Sequence, residues 1–137
     1  MRVLEITPEN LGEAWEHAAP WLEQANLRGR GRYPLADIRA ELERGVKRLY
    51  KVVDGERFAW MLIGVTANSA FKTCTVYALA GRGALDGDFL PHLAFFAEMY
   101  ALHNGANYVT CSGRPGWTRA LRRFGWEETG RICGKEL

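Results

Sequence analysis

The sequence predicts an α+β layer fold in which helices flank a mixed, strongly twisted sheet. Three observations carry that expectation. The hydrophobic period changes from helical to strand-like just after Gly45, three β-rich runs then follow one another, and the chain finishes by alternating helix and strand signals. A length of 137 residues suits one domain over 1–137 with one core.

Arg2 to Ile6 alternates like a short strand. Thr7-Pro8-Glu9 then opens a helix: Thr7 offers a capping oxygen, Pro8 suits the first helical position, and Leu11, Ala14, Trp15 and Ala18 follow at helical spacing. Pro20 is expected to interrupt it, Trp21-Leu22 to add a turn, and Asn26 to Arg32 to form a basic, glycine-broken loop. Pro34 to Arg44 reads as a second helix with Leu35, Ile38 and Leu42 as its buried stripe and Gly45 at its C-terminal cap. Leu49–Val53, Phe58–Val65 and Thr73–Leu79 are rich in β-branched and aromatic residues, and Asp54-Gly55 joins the first two as a hairpin, so an antiparallel meander is expected. Gly81, Gly83 and Gly87 lead into a long helix from about Asp88 to His103, closed by Asn104-Gly105. Tyr108–Cys111 reads as a strand, Trp117–Phe124 as a helix, and Trp126–Cys133 as a final strand.

Composition excludes several classes. Apolar residues at 47% and charged residues at 25% rule out a disordered or collagen-like chain. A net charge of +2 gives no global reason for a nucleic acid or an anionic membrane as partner, and no apolar run approaches the ~18 residues of a membrane span. The start Met1-Arg2-Val3-Leu4-Glu5 lacks a signal-peptide core, and Cys74, Cys111 and Cys133 are odd in number with no Cys-x-x-Cys pair, so an intracellular protein without disulfides is expected. His17, His92 and His103 are scattered, with no ligand spacing for a metal, and Ser69 and Ser112 lack a nucleophile-elbow context. Cys111 reads as an inert strand thiol.

The order of elements, the glycine-rich step into the long helix and the end of the chain resemble the GNAT superfamily of acyl-CoA-dependent N-acetyltransferases over nearly the whole length. More narrowly, Gly45 to Gly55, Gly105-Ala106, Cys111 to Leu121 and Phe124-Gly125-Trp126 are similar to GNAT-like proteins of tailed bacteriophages. The stretch Gly113-Arg114-Pro115-Gly116-Trp117-Thr118-Arg119-Ala120-Leu121 is the most specific part. The resemblance implies a GNAT-like sheet, and for a working member an Arg/Gln-x-x-Gly-x-Gly/Ala loop whose amides hold the pyrophosphate of acyl-CoA. Arg82, Gly83 and Gly87 are the cofactor-binding candidates, yet counting from Arg82 puts Leu85 where the first motif glycine belongs. Asp86 and Asp88 suggest the alternative, a structural turn in which a carboxylate caps the helix and repels a dianion. The resemblance also implies a tyrosine that protonates the departing thiolate; its position here is Leu121, and the associated asparagine is Arg114. Tyr77, Tyr100 or Tyr108 could substitute, or could be core tyrosines. No residue is assigned a catalytic role.

Two features point to binding. The helix at 88–103 carries Phe89, Leu90, Leu93, Phe95, Phe96, Met99, Tyr100 and Leu102 against only two acids, so either it is central in the fold or Phe95 and Leu102 meet a protein partner or a second copy. Arg28, Arg30 and Arg32 on the glycine loop, with Arg114 near the last helix, form basic clusters that serve as solvated faces or contact an acidic partner, leaving nucleic acid open. Two functions follow. One is a phage-type GNAT-fold protein that has lost the chemistry and serves as an interaction or virion-assembly component without a cofactor. The other is an N-acetyltransferase that uses acetyl-CoA on an amine of a small molecule or protein.

Overall fold

A computed structural model describes residues 1–28, 33–111, 115–130 and 133–137. They build one five-stranded sheet in the order β1-β2-β3-β4-β5. Strands β1 (Arg2–Ile6), β2 (Arg48–Asp54), β3 (Arg57–Ala67) and β4 (Lys72–Arg82) run antiparallel in sequence, and β5 (Tyr108–Cys111) lies parallel to β4. The mixed sheet with flanking helices is the expected fold class. Helices α1 (Leu11–Arg28) and α2 (Leu35–Glu43) cover one face, α3 (Leu90–His103) covers the other, and α4 (Pro115–Arg122) packs beside α3.

Strand alternation divides the core between the faces. On β3, Ala59, Met61 and Ile63 turn toward Phe89, Leu93, Ala97 and Ala101, whereas Trp60 and Leu62 turn toward Leu11, Ala18, Leu22, Ile38 and Leu42. The register of β3 on β4 shifts between Leu62, opposite Ala78, and Ile63, opposite Val76. Tyr77 is the extra residue of this bulge. Cys74 and Val76 pack on the α3 side before it, and Leu79 does so after it, so the bulge reverses which residues of β4 face each layer.

Three local expectations are corrected. Thr7 does not cap α1: the Asn10 amide closes a separate turn on the Thr7 carbonyl at 3.1 Å, and the helix begins at Leu11. Pro20 does not interrupt α1, which runs through it to Arg28. Burial of Ala18 and Leu22 on either side holds the helix together against a proline penalty of about 3 kcal/mol. The final strand is absent from residues 126–130 and from Cys133, the remainder of that expectation lying outside the described residues. Trp126 instead leans on α3 and α4: its Nε1 donates to Glu98 Oε1 at 3.2 Å, and its ring joins Leu90, Ala94 and Leu121. Helix α4 itself begins at Pro115 and ends at Arg122, two residues ahead of its expected span at both ends.

Candidate functional site

The sheet opens at one place. Strand β4 pairs with β3 over its whole length, but with β5 only from Thr73 to Val76, the partners of Tyr108 to Cys111. The pairing stops at Val76 because β5 ends at its partner Cys111, and among the described residues no strand pairs with the outer edge of Tyr77–Arg82. This wedge, bounded by the turn into α3, is the candidate site.

The turn is built around Arg57. The β2–β3 hairpin pairs Asp54 with Arg57, and the register Phe58 opposite Arg82 brings that corner beside the turn from β4 to α3. The Arg57 guanidinium donates to Asp54 Oδ2 and Asp88 Oδ1, both at 2.5 Å, lies 3.6 Å from Asp86 Oδ2, and sits 5.1 Å from the ring centre of the buried Phe89. Hydrogen bonding from Arg57 holds the Asp88 carboxyl below its ordinary range. Gly83 has φ +71°, and a Cβ there would lie 2.9 Å from Arg57 Cγ and Cδ and from Asp86 Oδ2, so its missing side chain leaves room for the arginine. Gly81 is needed for contact as well, because a Cβ would run into the Phe58 carbonyl of β3. Arg82 is exposed with its guanidinium 5.8 Å from the Phe58 ring centre, and Gly87 is exposed with open space around it.

This geometry corrects the expected carboxylate cap. The residue before α3 is Phe89, which makes no side-chain cap, and Asp86 and Asp88 turn to Arg57 instead. A full positive charge outcompetes the roughly half charge of a helix terminus. The terminus is closed by backbone: the Asp86 carbonyl accepts from the Phe89 and Leu90 amides at 3.0 and 2.9 Å, and Pro91 has no N–H. The first turn therefore offers few donors to an anion.

The proton-transfer candidates separate clearly. Leu121 is buried among Leu90, Ala94 and Trp117 and has no proton to give. Tyr100, on α3, has its ring centre 5.6 Å from that of Tyr50, and burial raises its hydroxyl above the ordinary value. Tyr108 begins β5 opposite Thr73, at the closed end of the β4–β5 pairing. Tyr77 is the bulge residue beside the wedge, but its ring lies in the α1–α2 layer against Lys47, 4.1 Å from the ammonium. Cys111, opposite Val76 where the strands part, is raised by burial and kept as a thiol. Among the described residues no group of three or more His, Cys, Asp or Glu could hold a metal ion, and no helix is long and apolar enough to cross a membrane.

The remaining predicted residues lie elsewhere. Phe95 and Leu102 stand 61% and 66% exposed on the outer side of α3, with Met99 between them at 47%, while Leu90 and Leu93 are buried. Arg28 ends α1; Arg30, Arg32 and Arg114 lie outside the described residues.

A second polar cluster, not foreseen in the sequence, surrounds Lys47. Its Nζ donates to Glu41 Oε2 at 2.7 Å and to the Tyr33 hydroxyl, and Tyr33 in turn donates to Glu41 Oε1. The Tyr33 and Tyr77 ring centres lie 4.3 and 4.1 Å from the ammonium. Burial would raise the Glu41 carboxyl, but bonds from Lys47 and Tyr33 hold it below its ordinary range, while burial and Glu41 push the Tyr33 hydroxyl well up. The only sequence signal was Lys47 itself, a charged residue entering an apolar strand.

No protein-family model and no curated protein matches the chain. Solved structures do. A transcriptional regulator from Bacillus halodurans C-125 superposes with a TM-score of 0.70 at 17% identity, covering 99% of each chain. An aminoglycoside acetyltransferase from an uncultured soil metagenomic sample, in complex with trehalose, gives 0.70 at 12% identity, covering 99% of this chain and 95% of its own. A probable acetyltransferase gives 0.66 at 16%, covering 100% and 97%. At such identities the likeness shows the fold, which is that of the GNAT acetyltransferases.

Proposed function

We propose that this GNAT-fold chain works by binding other macromolecules, its acyl-CoA chemistry having been lost. One observation carries the reading: the helix terminus that would anchor a pyrophosphate is closed by the Asp86 carbonyl and Pro91, and the acids beside it occupy Arg57. A dianion arriving there meets two carboxylates and few amides. Leu121 at the family's tyrosine position supports the same conclusion, since a general acid contributes a factor of about 10² to 10⁴. Support for an interaction role comes from the exposed apolar stripe Phe95, Met99 and Leu102 on α3. The resemblance read in Gly113–Leu121 to tailed-phage proteins is the one ground for placing that role inside a host cell or in a virion. The basic residues Arg28, Arg30, Arg32 and Arg114 would add contacts to an acidic partner.

Calorimetry with acetyl-CoA tests the reading directly. Binding is expected no tighter than about millimolar, or −4 kcal/mol, and the double variant D86N/D88N is expected to bind more tightly by releasing Arg57 to the phosphates. Micromolar binding by the wild type would restore the enzyme. The association arm is sedimentation of wild type against F95E/L102E, at high concentration and with proteins of the source cell or virion. The double variant is expected to stay folded and lose association, because exposed substitutions usually cost within ±0.5 kcal/mol while a desolvated carboxylate in an interface is far more costly. A wild type that associates with nothing removes the interaction role.

The second reading, acetyl-CoA-dependent acetylation of an amine, keeps one observation in its favour: β4 runs on past the end of β5 and, among the described residues, has an unpaired outer edge beside the turn.

A further inference from the structure

We propose that Tyr33, Glu41 and Tyr77 form an alkylammonium-binding cage, and that the chain fills this cage with its own Lys47. Each part of such a site is present. The Tyr77 ring centre lies 4.1 Å from the nitrogen, within the range where a ring quadrupole attracts a cation, and Tyr33 meets it with its hydroxyl edge. A carboxylate oxygen stands 2.7 Å from it and a phenol oxygen accepts a second N–H bond. Gly64 on β3 provides the floor: a Cβ there would come within 3.1 Å of Tyr77 Cε2 and 3.4 Å of Lys47 Cγ. The Lys47 side chain is only 10% exposed, so its charge is held by these groups and not by water.

The cage draws on distant pieces of chain. Tyr33 precedes α2, Glu41 lies on it, Lys47 leads into β2, and Tyr77 is the bulge residue of β4. No pair of them needs the others for its own secondary structure. What they share is an ammonium, and a free alkylammonium has the same chemistry. In the wild type the tethered lysine is present at an effective concentration of roughly millimolar or more, so a weak external amine is kept out. Shortening the lysine removes the ammonium and leaves the Tyr77 ring, the Tyr33 hydroxyl and the Glu41 carboxylate without their cation. The inference concerns the α1–α2 face alone and stands whether or not the wedge binds acyl-CoA.

The test is rescue of Lys47→Ala. Its thermal midpoint is measured against increasing n-butylammonium chloride, with sodium chloride and n-butanol at the same concentrations as controls. A saturable rise with n-butylammonium, absent with both controls and absent in the wild type, is expected. An equal rise with butanol would overturn the proposal, since the pocket would then select only volume, and so would no rise at all in a folded variant. Should the variant fail to fold, proton NMR of the wild type decides. The Hε protons of Lys47 are expected upfield of those of Lys72 and Lys135 through the ring current of Tyr77; their presence at the ordinary lysine position would overturn the cage.

Discussion

Arg57 and Lys47 each draw distant polar side chains around one cation, yet they do opposite things for the molecule. Arg57 holds three aspartates at the surface, where Asp86 and Asp88 have side chains 54% and 79% exposed. Lys47 holds one glutamate and two tyrosines in a site closed to water on most sides. Surface pairs are screened and contribute little to stability, whereas a buried charge with its partner removed is strongly destabilising. The surface cluster therefore shapes the electrostatics of the wedge, and the buried cluster ties secondary-structure elements together.

The largest expected effect comes from leaving the buried charge unpaired. Glu41→Leu should lower the free energy of unfolding by about 3 kcal/mol in urea titrations, while Arg57→Gln should leave the urea midpoint nearly unchanged. Equal losses from both would erase the distinction. A smaller effect is expected at alkaline pH. Burial raises the Tyr50 hydroxyl from 10.0 to about 12 and the Cys74 thiol from 9.0 to about 11. Both are neutral in the fold, and the unfolded chain ionises first, so the stability they contribute is complete below about pH 9 and lost as pH rises toward 12. Urea midpoints measured from pH 8 to 11 should fall, and Tyr50→Phe should fall less steeply.

The order of elements was legible because each rests on local periodicity. The meander, the Asp54-Gly55 hairpin and the long apolar helix all stand close to where their patterns placed them. Arg57 was missed because its partners Asp86 and Asp88 lie about thirty residues away and meet it only through the β3–β4 register. The same register explains why Asp86 and Asp88 looked like caps: read along the chain, the helix amides are their nearest partners, and Arg57 is invisible. Pro20 misled for a related reason, since its local cost is fixed by chemistry while the burial that outweighs it belongs to the packed protein.

By itself, the sequence determined the helices and strands from β1 to α4 to within a few residues, and that α3 is apolar on nearly every side. Only the tertiary structure decided that Phe95 and Leu102 face outward, that the turn into α3 is closed by the Asp86 carbonyl, and that Lys47 meets Tyr33, Glu41 and Tyr77. The reason is one of range. Backbone preference and hydrophobic period act over a few residues, whereas charges choose partners by distance in space, and that distance exists only once the strands have set their register.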